Sequence, residues 1–201
     1  MPPHRMHMTV LEIAHSKTPE EISAAVVPLR PIARDLADFT LAHRARLVRP
    51  QVTYDAGGVA LSFLPAAGEP VVSPAASPAG VREGLEVVGG DPYTYHHLRR
   101  DVEGVLAGVG VAVGARYQVP SAHVTLARYL DGEGELGTVE GRKEWVEAVE
   151  GINAWLEGEV WGVSGGEGIG EWIVGQERGL HLRCGTVWYG GGRSIIVGEG
   201  F

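Results

Sequence analysis

The chain has 201 residues, 44% hydrophobic and 21% charged, enough to bury a substantial core as one bilobal domain or two tightly joined lobes. A net charge of −8 weighs against a long nucleic acid as the main ligand, because nonspecific affinity for a polyanion comes from neutralising its phosphates; a small substrate or an RNA terminus fits better. The one cysteine, Cys184, excludes an internal disulfide. With no apolar N-terminal stretch resembling a signal peptide or membrane span, the expectation is a monomer in the cytoplasm, or in the nucleus, without a membrane partner.

Along the chain, residues 6–14 read as a first strand, apolar and β-branched, carrying His7-Met8-Thr9-Val10. Thr18-Pro19-Glu20-Glu21 predicts a helix start, with Thr18 as cap, Pro19 in the first turn and Glu21 at the capping-box position. That helix is expected to break at Pro28 and Pro31 and resume toward Phe39. Residues 46–54 and 59–63 read as a hairpin turning at Asp55-Ala56-Gly57-Gly58. The Pro-, Ala- and Ser-rich stretch 65–78 reads as a surface loop, and Asp91-Pro92 as the opening of a helix running to about Leu106. Residues 117–120 lead into a second strand with His123-Val124-Thr125-Leu126; 142–156 is amphipathic; 172–174, 180–188 and 194–197 read as strands between glycine turns. Each half thus runs strand, helix, hairpin. The expected fold is α+β, with two antiparallel sheets, helices on their outer faces, a central cleft, and two pseudo-repeats at about 6–65 and 117–198 within a single domain, 1–201.

The two strand motifs carry the chemistry. In an extended chain residues i and i+2 share a face, so each motif presents one imidazole beside one hydroxyl. A single His-x-Thr is ordinarily structural, its ring bonded to a backbone carbonyl. A pair is different: side by side they form a site with two imidazoles, one neutral and able to accept a proton, the other charged and able to donate one, flanked by hydroxyls that can hold phosphoryl oxygens. The pair, His7/Thr9 and His123/Thr125, resembles the two His-x-Thr/Ser-x motifs of the two-histidine (2H) phosphoesterase superfamily. Its members include cyclic nucleotide phosphodiesterases and the RNA 2′,3′-cyclic phosphodiesterases also called 2′-5′ RNA ligases. The second copy extends to His123-Val124-Thr125-Leu126-Ala127-Arg128, similar to the longer motif of the bacterial RNA members. The resemblance implies a bilobal fold and a phosphodiesterase that opens a 2′,3′-cyclic phosphate on a nucleotide or RNA end, with His7 and His123 as catalytic acid and base in either order. Thr9 and Thr125 would be the phosphate-binding residues, and reverse ligation is a second activity of such proteins. The scheme needs no cofactor and no metal.

Other signals rank lower. Arg128 and Tyr95 are further candidates for substrate contact, although three positions beyond Thr125 a regular strand points Arg128 to the opposite face. Tyr93, Trp188 and Tyr189 are aromatic surfaces for stacking or core. Arg44, Arg46, Arg49, Arg99 and Arg100 read first as solvated charge. His96-His97, and His4 with His7, lack the three or four ligands of a zinc site. Gly165-Gly166-Glu167-Gly168-Ile169-Gly170 lacks the strand-turn-helix context of a dinucleotide loop, and Gly190-Gly191-Gly192-Arg193-Ser194 is not a phosphate loop. His15 shares the face of His7 at the strand end. Two rival readings stay open: a binding module of this fold that recognises a nucleotide, a phosphorylated metabolite or a protein without turnover, and an enzyme of this fold acting on a non-nucleotide substrate.

Overall fold

The computed structural model describes residues 1–71, 86–114, 122–130, 134–161 and 170–201. Thr18 opens α1 (Pro19–Val26): its hydroxyl accepts from the Glu21 amide at 3.2 Å while the Glu21 carboxylate accepts from the Thr18 amide at 2.8 Å. This is the reciprocal cap that the tetrapeptide predicts. The prolines cannot continue an α-helical ladder. The chain tightens there into a 3-10 stretch (Val27–Ile32) before α2 (Ala33–Ala37).

β1 (Arg46–Tyr54) and β2 (Gly58–Pro65) form the expected antiparallel hairpin, turned by Asp55, whose Oδ1 accepts from the amides of Gly57 and Gly58 at 2.7 and 3.0 Å. α3 (Tyr95–Gly108) starts later than Asp91-Pro92 suggests. Thr94 is its cap, with its amide donating to Nδ1 of His97, and Asp91 is drawn instead to the Arg46 guanidinium at 2.8 Å. β3 (Ala122–Arg128), α4 (Val139–Glu159), β4 (Glu171–Ile173), β5 (His181–Cys184) and β6 (Arg193–Val197) follow. β5 is shorter than the expected 180–188, because Gly185 turns the chain at φ 88°, a conformation glycine adopts without strain.

The strands form one antiparallel sheet in the order β3-β2-β1-β4 and a second, two-stranded sheet, β5-β6, so the class is α+β. One face of the larger sheet, with Leu47, Phe63 and Ala122, packs on α3. That helix supplies Tyr95, Leu98, Val102 and Leu106, spaced to fall on one side. Each such side chain contributes about 1.5–3 kcal/mol on burial.

β4 covers only the first part of β1. Beyond it, Asn153 of α4 substitutes for a strand partner: its Oδ1 accepts from Val52 N at 2.7 Å and its Nδ2 donates to Val52 O at 3.0 Å. Trp161 Nε1 donates to Pro50 O on the same edge. Arg46 is buried between Asp91 and Glu171 and donates to the carbonyls of Glu69 and Pro70, which ties the flanking loop to the sheet. No helix among the described residues is long and apolar enough to cross a membrane.

Candidate functional site

The first motif does not form the continuous strand expected over 6–14. Within the described residues its one strand contact is an antiparallel bridge between Met8 and Val124 of β3. The carbonyls beyond it are already engaged. Thr9 O accepts from the Tyr95 hydroxyl at 2.9 Å and from Arg99 Nη2 at 3.2 Å, and Val10 O accepts from Arg99 Nε at 2.9 Å. Side chains of α3 thus occupy acceptors that a neighbouring strand would otherwise use.

That single bridge brings the segment of His7 and Thr9 alongside β3. Met8 and Val10 pack against the core, so alternation turns His7 and Thr9 to the opposite face. Ala122 is also core, which places His123 and Thr125 on that same opposite face. With Met8 facing Val124, one step either way along antiparallel segments sets Thr9 beside His123 and His7 beside Thr125. In a regular antiparallel ladder the diagonal neighbours in such pairs lie roughly 7–8 Å apart; here the two segments meet at the one bridge between Met8 and Val124. His7 is exposed; Thr9, His123 and Thr125 are half-buried. On β2, Ser62 faces His123 and Ala60 faces Thr125, and Ser62 is buried. Ser62 is itself held by Thr53, with the two hydroxyl oxygens 2.6 Å apart.

His7 Nδ1 lies 2.9 Å from the Arg5 carbonyl oxygen. A carbonyl only accepts, so Nδ1 carries the proton, and in the neutral ring Nε2 is the basic nitrogen. Nε2 has no hydrogen-bond partner among the described residues.

Arg128 is closer to this site than strand alternation implies. Thr125 faces Ala60 and Ala127 faces Val59, so β3 spends one extra residue, Leu126, against β2. Such a bulge reverses the alternation that follows it. Arg128 therefore faces Gly58 on the side of Thr125, and a Cβ on Gly58 would stand 3.0 Å from Arg128 Cδ and 2.4 Å from Ala127 O. The amides of Gly57 and Gly58 hold the nearby Asp55 carboxyl below its usual range, and the charges of Arg128 and His123 add to this.

Tyr95 is fully buried beneath the motif segment, with its hydroxyl spent on Thr9 O, so the structure gives it a supporting place rather than a surface facing a ligand. Tyr93 is buried too and donates to Asp101, whereas Trp188 is 72% exposed; the Tyr189 side chain lies outside the description. The arginines divide. Arg49 and Arg100 are exposed beside Glu69 and Asp101, but Arg46 and Arg99 are buried and structural, and Arg44 lies over the Phe201 ring at 3.8 Å. His15 is exposed next to Ser16, and His97 serves the α3 cap. Among the described residues no three His, Cys, Asp or Glu side chains gather as a metal-holding group. Residues 72–78 of the expected loop, 117–120, and all of the 165–170 glycine stretch but Gly170 lie outside the described residues.

Sequence reading passed over His181. It sits on β5 with Nε2 2.7 Å from Ser194 Oγ, and burial, then the charges of Arg183, Arg178 and His7, hold it below the usual imidazole range. The available signal was the alternation of Leu180 and Leu182 with His181 and Arg183. No family model, no curated protein and no solved structure matches this chain.

Proposed function

We propose that this chain is a metal-independent phosphodiesterase of the 2H type that opens a cyclic phosphate, with a 2′,3′-cyclic nucleotide or RNA end as its substrate. The observation that supports the reading is the antiparallel bridge of Met8 to Val124, which brings the segment carrying His7 and Thr9 alongside the strand carrying His123 and Thr125. In the mechanism one histidine takes a proton from water as the water oxygen attacks phosphorus. The other gives a proton to the ribose oxygen as its bond to phosphorus breaks, leaving a phosphomonoester. Thr9 and Thr125 donate to the non-bridging oxygens, where charge grows. The tautomer of His7 suits it to the role of base, and the same ring once protonated suits the acid role in the reverse, ligating direction. The bilobal arrangement with two pseudo-repeats belongs to this reading, as does a cytoplasmic place of action.

The deciding experiment is a turnover screen of 2′,3′-cyclic nucleotides, 3′,5′-cyclic nucleotides and 2′-5′ oligoadenylates in the presence of chelator. We expect hydrolysis of the 2′,3′-cyclic compounds, a bell-shaped pH profile belonging to the coupled pair of histidines, and loss of most turnover in His7→Ala and in His123→Ala. Tight binding of one compound without hydrolysis of any would favour the binding module instead. A fully active His7→Ala or His123→Ala variant would remove that residue from the mechanism.

A further inference from the structure

On β5, His181 and Arg183 stand two positions apart and share a face, away from Leu182, which packs toward the core. Ser194 of β6 faces Arg183 in register and bonds to His181 Nε2. Arg183 Nη2 donates to Gly192 O at 3.3 Å, while its Nε, shielded from solvent, has no acceptor among the described residues. Arg178, Arg183 and Arg193 have no carboxylate partner among the described residues, although the chain carries 25 acidic side chains against 17 lysines and arginines. The hairpin is seated on the segment that carries the first motif. Gly190, in the β5–β6 connection, approaches so closely that a Cβ on it would stand 2.5 Å from Arg5 O, the same oxygen to which His7 Nδ1 is bonded.

Cations gathered without an anion raise one another's energy, and binding an anion relieves all of them together. Burial first lowers the affinity of His181 for a proton, and the charges of Arg183, Arg178 and His7 lower it further. We infer that His181, Arg183 and Ser194, with Arg178 beside them, form an anion subsite next to His7 that takes a second phosphate of the substrate. The favoured substrate then carries two phosphates, the cyclic one held between His7 and His123 and another held by the hairpin. That second group can be a terminal monoester of a nucleotide or the internucleotide diester of an oligonucleotide. Arg183 supplies a planar donor fork suited to phosphate oxygens, and protonation makes both ring nitrogens of His181 donors.

The inference rests on the phosphodiesterase reading for its first phosphate, and two measurements keep the two apart. In steady-state kinetics, adenosine 2′,3′-cyclic phosphate is compared with its 5′-phosphorylated form and with a dinucleotide ending in a 2′,3′-cyclic phosphate. We expect at least one added phosphate to lower KM by about tenfold or more, as a charge-assisted hydrogen bond would. Which of the two compounds gains tells monoester from diester. In Arg183→Gln, and separately in His181→Gln, the KM ratio should collapse toward one. Equal KM values for all three substrates, or a ratio that survives in both variants, overturns the subsite. Independently, the His181 imidazole is titrated by NMR with and without inorganic phosphate. An upward move of its pKa with phosphate is expected, and no move overturns the subsite. A move with phosphate but no turnover of any cyclic phosphate supports the subsite and removes the phosphodiesterase reading.

Discussion

Replacing Arg99 with methionine should lower stability and activity together, because one side chain holds the segment on which His7 and Thr9 stand. Arg99 is buried in α3, with its guanidinium over the Tyr95 ring at 4.5 Å, and donates to Val10 O at 2.9 Å and to Thr9 O at 3.2 Å. A hydrogen bond from a charged donor contributes about 1.5–3 kcal/mol. The longer of these two falls at the weak end, and methionine keeps the apolar contacts of the stem. The expected loss is about 2–4 kcal/mol, which a domain stable by about 5–15 kcal/mol survives, with Tm lower by about 4–16 °C. Thr9 O keeps its bond from Tyr95, so the segment loosens without detaching. The kinetic assay is a double-mutant cycle with Thr9→Val, a change that removes the hydroxyl donor and should reduce turnover by about 2–4 kcal/mol of transition-state stabilisation. If Arg99 acts by placing Thr9, the double variant should be little worse than Thr9→Val alone. Additive losses would mean that Arg99 acts on the reaction by another route, and an unchanged Tm would refute the buried-anchor account.

Asn153→Leu should reduce stability by about 1–3 kcal/mol in urea unfolding, since Val52 N–H and C=O lose both their partners on the β1 edge. Gly58→Ala should lower both stability and turnover, because its Cβ meets the Ala127 carbonyl at 2.4 Å; Gly57→Ala meets the far end of the Arg128 side chain at 3.1 Å and Asp55 Oδ1 at 3.3 Å, side-chain atoms that can give, and should cost less than Gly58→Ala. His181 prefers its neutral form in the fold, so the unfolded chain takes up that proton first. Stability should be full above the ordinary value of 6.5 and fall as the pH drops below it, and His181→Gln should flatten that slope in acid denaturation curves.

Local signals carried most of the fold. The Thr18 cap, the two proline breaks and the Asp55 hairpin each depend on residues within a few positions of one another, and each forms where its own chemistry places it. The expectations that moved depend on distant partners. Asp91 left the start of α3 because Arg46, far along the chain, offered a buried cation. Residues 6–14 lost their ladder because Tyr95 and Arg99 reach their carbonyls from a helix many residues later. Charge counted along the sequence misled in the same way: Arg46 and Arg99 read as solvated until burial and partners are known.

For the proposed site, periodicity singled out the four motif residues but could not bring their two segments together. The alternation that puts His7 beside Thr9 on one face is a property of any extended chain, whereas the approach of their segment to the strand of His123 comes from one bridge, Met8 to Val124, between segments in opposite halves of the chain. Arg128 marks the limit of such reasoning. Counting by twos sends it to the far face, and a single extra residue at Leu126 brings it back, a change invisible without the partner strand because a bulge is defined by the register across two strands. His181 was hidden for a related reason. Its own strand announces only a polar face, and what gives that face chemical meaning is the seating of Gly190 against Arg5, which joins the hairpin to the oxygen that fixes the His7 ring.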